Sequence, residues 1–120
     1  MKIALPVENK SIDGEICISF GRTPYFLIYD TETKDSIFLD NAAAASQGGA
    51  GIKAAQTLVD SEVEALVTPR CGENAAQVLQ AADIKIFKSI YKSTKENIDA
   101  FLGGKLPLLN EIHAGFHGGK

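Results

Sequence analysis

The sequence predicts a single α/β domain with a mixed five-stranded sheet and helices on its faces. Short apolar, β-branched and aromatic runs recur in the first half, whereas helical periods alternate with apolar runs in the second half. A chain of 120 residues with 45% apolar and 22% charged residues can also bury one core without cross-links. The predicted order of elements is therefore β-β-β-α-β-α-β-α.

The first half is predicted to hold three strands, of which the last two form a hairpin. The runs Lys2–Val7 and Tyr25–Asp30 are rich in apolar and aromatic residues. Pro6 limits the first run and Pro24 bounds the second. A short polar turn leads into the returning strand, Ser36–Asn41.

Two long connections belong to the same half. The segment Glu8–Thr23 is interpreted mainly as a functional loop, although the alternation of Ile16, Ile18 and Phe20 also fits a short extra strand. The segment Asn41–Ile52 consists of small, almost uncharged residues. Because compact domains rarely carry connections this long without a reason, both segments are expected to have a function.

The second half alternates helices with strands. The predicted elements are a helix from about Ala50 to Ser61, a strand over Val63–Pro69, a helix from near Glu73, a strand over Ile84–Phe87, and a third helix that begins at a capping box of Ser93 and Glu96 and ends at Gly103-Gly104. Right-handed crossovers would make these strands parallel. The strand order could then be 3-2-1-4-5, as in ribonuclease H-like folds.

The domain is expected to cover residues 1–103, followed by a flexible tail over residues 104–120 that contains glycine and histidine. His113 and His117 lie four residues apart in this tail. On a helix they would share a face and could bind a metal weakly, but the neighbouring glycines favour a passive tail.

Bulk properties exclude several classes of protein. The net charge of −3 argues against nucleic-acid binding, which needs a basic surface. No apolar run reaches the length of a membrane span, and the apolar stretch at the start is too short for a signal-peptide core. We therefore expect a cytoplasmic protein. In a reducing cytosol Cys17 and Cys71, which are far apart in the sequence, should be free thiols.

The predicted topology brings three segments to one edge of the sheet. Glu8–Thr23, Asn41–Ile52 and Pro69–Asn74 each follow a strand whose carboxyl end lies at that edge, where open α/β sheets bind ligands. The groups expected to converge there are Cys17, Arg22, the amides of Gly48 and Gly49, and Cys71.

Cys71 is interpreted as a candidate thiolate. It precedes a helix N-terminus and follows Arg70, and both features lower the pKa of a thiol, although Glu73 opposes them. The alternative is a small semi-buried residue without chemistry. Cys17 is the weaker candidate, because it could be a partly buried strand residue.

The glycine-rich loop also has two interpretations. Gly49, Gly51 and Ala54 match a dinucleotide-binding pattern, but no strand directly precedes them, so the match is weak. A nest of backbone amides that binds an anionic cluster fits better, and a flexible connector is the alternative. Arg22 could contact the same anion or bond to loop carbonyls, and Asn74 could contact it or bond within the helix start.

The chain has little that resembles an enzyme. No Ser-His-Asp order is evident, and Cys71 has no obvious histidine base. The first strand carries no aspartate, so the clustered acids of a ribonuclease H active site are missing. We therefore expect a protein without catalytic activity.

Three motifs in this order carry a resemblance to a known family. Ser19–Asp30, Gln47–Asp60 and Cys71–Phe87 together resemble the dinitrogenase iron–molybdenum cofactor biosynthesis family, which includes NifX-like carriers and the C-terminal domain of NifB-like proteins. The resemblance covers about residues 1–103. It implies a ribonuclease H-like fold without nuclease activity, and the binding or carrying of iron–sulfur or molybdenum-containing clusters. A related branch holds a copper–molybdenum sulfide cluster.

The chain departs from the family pattern at two points. Many members have histidine where this chain has Ser19, and many have proline where this chain has Glu73. A histidine ligand is therefore missing and a carboxylate enters the expected anion site. Softer ligation by Cys71 and Cys17 would compensate in part, because thiolates suit iron–sulfur and copper chemistry.

The leading hypothesis is a cytoplasmic protein that binds or carries a metallocluster. Its expected site residues are Cys17, Arg22, Gly48, Gly49, Cys71, Gly72 and Asn74, with Cys71 as the first metal ligand and Cys17 as the second. Two thiolates cannot complete a four-cysteine set, so non-covalent contacts or a second subunit in a homodimer would have to help. The expected partners are the cluster or its assembly proteins, with no nucleic acid and no membrane.

Two other hypotheses stay open. One is a redox-sensing or regulatory interaction module for a cluster-assembly system, in which Cys71 is a sensor thiol and no cluster is stably bound. The other is a small nucleotide or phosphate binder that uses the loop from Gly48 to Gly51.

Overall fold

A computed structural model describes residues 1–109 of the chain. Its elements are β1 (Lys2–Val7), β2 (Tyr25–Asp30), β3 (Ser36–Asp40), a 3₁₀ turn (Ala42–Ala45), α1 (Ala50–Asp60), β4 (Ala65–Thr68), α2 (Glu73–Ala81), β5 (Lys85–Lys88) and α3 (Thr94–Leu102). The five strands form one sheet in the order β3-β2-β1-β4-β5. The first three strands pair antiparallel, and β1, β4 and β5 are parallel. The predicted fold class and strand order are confirmed.

Two apolar layers hold the helices on opposite faces of the sheet. Along β1, Ala4 faces the layer under α1 and α2, whereas Ile3 and Leu5 face the layer under α3. This alternation is the period of two that a strand buried on both faces must satisfy. Leu58 of α1 and Leu79 of α2 are fully buried, and each contributes roughly 1.5–3 kcal/mol of apolar stabilisation.

The predicted cap of α3 is present. The Ser93 hydroxyl oxygen accepts a hydrogen bond from the Glu96 amide at 3.1 Å. Nearby, the buried Asn97 carboxamide accepts from the amides of Ile90 and Tyr91 and donates to two carbonyls of the same loop. This side chain therefore fixes the connection from β5 to α3.

The loop between β1 and β2 does not form the alternative extra strand. Ile16 makes a single bridge with Val7, and the Cys17 amide donates to the Pro6 carbonyl at 2.9 Å. The chain then leaves the sheet, so that Ile18 is 64% exposed. The loop instead runs across the carboxyl end of β1.

Strand boundaries differ from the predicted ones by one or two residues. β3 ends at Asp40, because the Asn41 side chain turns inward to bond the carbonyls of Gly21 and Thr23. β4 starts at Ala65, because Glu62 adopts a left-handed conformation (φ 62°) that turns the chain before the strand.

The packed part of the chain extends beyond the expected domain boundary at residue 103. The Lys88 amide donates to the Pro107 carbonyl, and the Leu109 amide donates to the Ile86 carbonyl, both at 2.8 Å. Leu109 is also buried. The first residues of the expected flexible tail thus lie along β5.

The two histidines of the expected tail, His113 and His117, fall outside the described residues. Within residues 1–109 no helix is long and apolar enough to cross a membrane.

Candidate functional site

A cavity of about 610 Å³ opens at the carboxyl edge of the sheet, between the starts of α1 and α2. Three chain segments line it: residues 18–21, residues 49–52 and residues 70–75. They belong to the three connections that the topology was expected to bring together. Of the predicted site residues, Gly49, Cys71, Gly72 and Asn74 line the cavity, whereas Cys17, Arg22 and Gly48 do not.

Two helix N-termini face the cavity with no side-chain cap. Gly49 is the N-cap of α1 and Gly72 is the N-cap of α2, and a glycine has no side chain that could accept from the first amides. The intrahelical bonds begin only with the fourth residue of each helix. Within residues 1–109 no group accepts a hydrogen bond from the amides of residues 50–52 and 73–75. Because helix N-termini also carry partial positive charge, the cavity suits an anion.

Close approach of the backbone shapes one wall. A Cβ atom on Gly21 would lie 3.0 Å from the Gly51 Cα and only 2.9 Å from its amide nitrogen, and the shorter distance is one that real Cβ atoms essentially never show. The glycine therefore lets the loop from Ser19 lie directly against the start of α1. Sequence reasoning missed Gly21 as a site residue and named Gly51 only in the nucleotide-binding alternative. Their signal was present in the motif containing Gly21 and in the run of glycines around Gly49.

Gly48 and Gly49 take different roles from the expected pair. Gly49 adopts a left-handed conformation (φ 69°), which turns the chain into α1. Gly48 has open space around the position of a Cβ atom and lies off the cavity. The amide donors at the cavity thus come from the first turn of α1 and not from Gly48.

Cys71 lies in the cavity wall, but not as a thiolate. Only 1% of the residue is exposed, and burial raises the pKa of its thiol to about 11. The expectation of a lowered pKa was wrong, because burial deprives the thiolate of hydration and raises the pKa of the thiol. At neutral pH Cys71 carries its proton, and a metal could bind the sulfur only by displacing that proton.

Cys17 is buried next to the loop that lines the cavity and does not line the cavity itself. It is 7% exposed, and its thiol donates to the Ser19 carbonyl over 3.6 Å. Burial raises the pKa of this thiol, and the bonds to Ser19 and Thr23 offset the rise only in part. These contacts match the alternative of a partly buried residue next to the sheet.

The side chains of Arg22 and Asn41 connect the loop before β2 to the segment that follows β3. The Arg22 guanidinium donates to the carbonyls of Ala44 and Ser46 at 2.8 and 2.6 Å. The Asn41 carboxamide donates to the carbonyls of Gly21 and Thr23 at 3.1 and 2.9 Å. Arg22 thus follows the alternative of bonding to loop carbonyls, and Asn41 is a supporting residue that sequence reasoning missed.

The remaining lining sets the charge and polarity of the cavity. Arg70 and Glu73 bring one charge of each sign, and Ile18 and Ile52 form an exposed apolar rim. Across residues 1–109, no group of three or more histidine, cysteine or acidic side chains is placed to hold a metal ion. The described residues therefore offer backbone amides and a single thiol at the cavity, and no complete set of side-chain metal ligands.

The chain is similar to one family model and to several proteins of known structure. The family model described as "Dinitrogenase iron-molybdenum cofactor" matches residues 1–104. The apo form of the orange protein from Desulfovibrio gigas is 34% identical, with a TM-score of 0.86, over 91% of this chain and 92% of that one. A candidate NifB protein from Thermotoga is 33% identical, with a TM-score of 0.82, over 95% and 97% of the two chains.

A candidate dinitrogenase from Methanocaldococcus jannaschii has a TM-score of 0.70 over 92% of this chain and 96% of that one. At 22% identity, this likeness concerns the fold alone. A search of curated proteins found no match.

Proposed function

Because the chain belongs to the dinitrogenase iron–molybdenum cofactor family, we propose that it binds or carries a preformed anionic metallocluster in the cavity between α1 and α2. The cargo would be an iron–sulfur or molybdenum-containing cluster, with copper–molybdenum sulfide among the candidates. The role is non-enzymatic and cytoplasmic, and the partners are proteins that assemble such clusters.

One observation carries the proposal: two uncapped helix N-termini open on the same cavity. Each N-terminus stabilises an anion by about 0.3–1 kcal/mol at an exposed site and up to about 2 kcal/mol when partly buried. The cavity volume of about 610 Å³ lies within the range of roughly 300–1,000 Å³ typical of small-molecule sites.

The mode of binding follows from the groups present. Free amides of residues 50–52 and 73–75 can donate to sulfide or oxo ligands of the cluster. Arg70 adds a positive charge at the rim, whereas Glu73 opposes the anion. The neutral Cys71 thiol is a weak donor, and it becomes a metal ligand only where the cluster displaces its proton. Binding of this kind needs no second subunit.

The buried thiol disfavours the redox-sensor alternative. Sensor cysteines are accessible and have a low pKa, whereas Cys71 is buried and its pKa is about 11.

A phosphate or nucleotide is the second candidate ligand, because it would use the same backbone amides as a cluster. A thermal shift with inorganic phosphate or ATP that survives Cys71→Ala, without any metal uptake, would favour that second candidate.

The test is anaerobic reconstitution with iron and sulfide, or with tetrathiomolybdate and copper, followed by visible spectra and the metal-to-protein ratio. Gly72→Leu adds a side chain at the cavity wall, where a Cβ atom meets nothing within 4 Å among residues 1–109. It does so without backbone strain, because Gly72 has an extended conformation. Gly48→Leu is the matched control, since it also points into open space but lies off the cavity.

We expect stoichiometric colour in the wild type and in Gly48→Leu, and its loss in Gly72→Leu. Colour retained in Cys71→Ala would indicate non-covalent binding, and its loss would make Cys71 a ligand. Absence of metal above background in the wild type under every condition would refute the proposal.

A further inference from the structure

Among residues 1–109 no strand or loop pairs with the outer edge of β3, whereas the opposite edge of the sheet is covered. Residues 107–109 pair along β5 through two backbone hydrogen bonds. In an antiparallel pair only every second residue directs its amide and carbonyl at the neighbouring strand. The bond from the Asp30 amide to the Asp35 carbonyl sets this alternation, so that Ile37 and Leu39 are the residues of β3 that bond to β2. The amides and carbonyls of Ser36, Phe38 and Asp40 therefore point outward, and no backbone or side-chain group in residues 1–109 bonds to them.

The surface beside this edge is apolar at its floor and acidic at its rim. Ile37 is 57% exposed, and Leu39 is only partly buried. Both line a second cavity, of about 510 Å³, that extends to the C-terminal end of α1. The cavity proposed to bind the cluster, called the cluster cavity below, lies at the N-terminal end of the same helix. Its charged lining consists of Asp30, Asp35, Asp60, Glu62 and Lys2.

The negative charge of this cavity is compensated only in part. The Asp30 carboxylate accepts from two backbone amides and lies near the N-terminal ammonium group, and the Asp60 carboxylate accepts from Gln56. Within residues 1–109 none of its four carboxylates forms an ion pair, and Lys2 is the single cation in its lining. The last turn of α1 contains no basic residue, so the partial negative charge of its carbonyls adds to that of Asp60 and Glu62. A cation from outside would be stabilised here.

We propose that the β3 edge binds an extended segment of a partner protein that alternates apolar residues with lysine or arginine. The segment adds a strand through the outward groups of Ser36, Phe38 and Asp40. A basic side chain lays its aliphatic stem over Ile37 and places its charge among the carboxylates at the end of α1. Specificity would come from charge complementarity at that cavity.

A second copy of this chain is a poorer occupant. It would offer β3 itself, whose five residues contain no cation and end in Asp40. Pairing two such strands would leave the acidic cavity uncompensated on both sides. The β3 surface also lies away from the cluster cavity, so this inference stands or falls independently of the proposed function.

The test is a titration of the full chain with a capped peptide of alternating lysine and valine, followed by amide NMR shifts. We expect saturable shifts confined to residues 36–40 and 60–62. Two control peptides separate the contributions: one replaces lysine by glutamate, and one carries N-methyl groups on the residues that would donate to β3. Equal binding of either control peptide, or no binding of the lysine peptide, would overturn the proposal.

Variants of the chain provide an independent readout. Ser36→Pro removes one outward amide and leaves the bonds to β2 intact, whereas Ser36→Ala keeps that amide. We expect peptide binding to be lost in the first variant and unchanged in the second. The double variant Asp60→Asn, Glu62→Gln should bind about tenfold more weakly, as expected for two exposed ion pairs. Sedimentation that shows a dimer sensitive to Ser36→Pro would assign the edge to a second copy and reject the partner segment.

Discussion

The protonation of Cys71 can be tested by measuring its reactivity as a function of pH. Alkylation requires the thiolate, and burial raises the pKa of this thiol from an ordinary value of 9.0 to about 11. At pH 8 the thiolate fraction is therefore about 0.1%, against about 10% for an unperturbed thiol, which is a difference of roughly 100-fold. Steric protection by the cavity wall slows the native reaction further.

The assay is the rate of iodoacetamide labelling, followed by intact mass, in a Cys17→Ser variant that leaves Cys71 as the sole thiol. The same variant in concentrated urea supplies the unfolded reference. We expect the native rate at pH 8 to be at least about 100-fold slower and to keep rising beyond pH 10. A native rate within a few-fold of the unfolded one, with an apparent pKa at or below 9, would refute the reasoning.

The same shift predicts how stability depends on pH. Because the folded-state pKa of Cys71 lies above the unfolded-state pKa, the folded protein holds the proton more tightly. This stabilisation is complete below about pH 9 and is lost as the pH rises through 11. At pH 10.5 the wild type should have lost about 2 kcal/mol of it, a loss that Cys71→Ala avoids. Urea unfolding of both proteins at pH 8 and pH 10.5 measures the difference.

Three further predictions concern the packing and charge of the chain. Gly21→Ala should unfold at a lower urea concentration and bind any cluster more weakly, because its Cβ would meet the Gly51 backbone at 2.9 Å; Gly48→Ala, which meets nothing, should leave both properties unchanged. Asn97→Ala should lower the free energy of unfolding by about 2–4 kcal/mol, because the fully buried Asn97 side chain makes four hydrogen bonds to the loop before α3; an effect below about 0.5 kcal/mol would contradict that role. Glu73→Gln should tighten tetrathiomolybdate binding by about twofold to fivefold in isothermal titration, because a carboxylate leaves the anion site, while Glu64→Gln should have no effect.

The fold could be predicted because its signals are local. The runs that became β1 and β2 are apolar or aromatic apart from Lys2 and Asp30 at their outer ends, and the Ser93 cap marks the start of α3 directly. The convergence of three loops followed from topology alone, since carboxyl ends of parallel strands share an edge.

The chemistry of the site could not be predicted in the same way. The pKa of Cys71 depends on how completely neighbouring chain segments exclude water, and no short stretch of sequence specifies that exclusion. The direction of the Arg22 side chain depends on two carbonyls more than twenty residues away. Asn41 looked like the last residue of a strand, and only the tertiary structure brings the carbonyls of Gly21 and Thr23 to it.

The most direct test of the central claim is a titration of the full chain with tetrathiomolybdate alone, followed by amide NMR shifts. This anion carries its own sulfide ligands and needs no thiolate from the protein. If the two helix N-termini bind it, saturable shifts should concentrate on the amides of residues 50–52 and 73–75 and disappear in Gly72→Leu. Shifts centred elsewhere, or no saturable shift at millimolar concentration, would contradict the account.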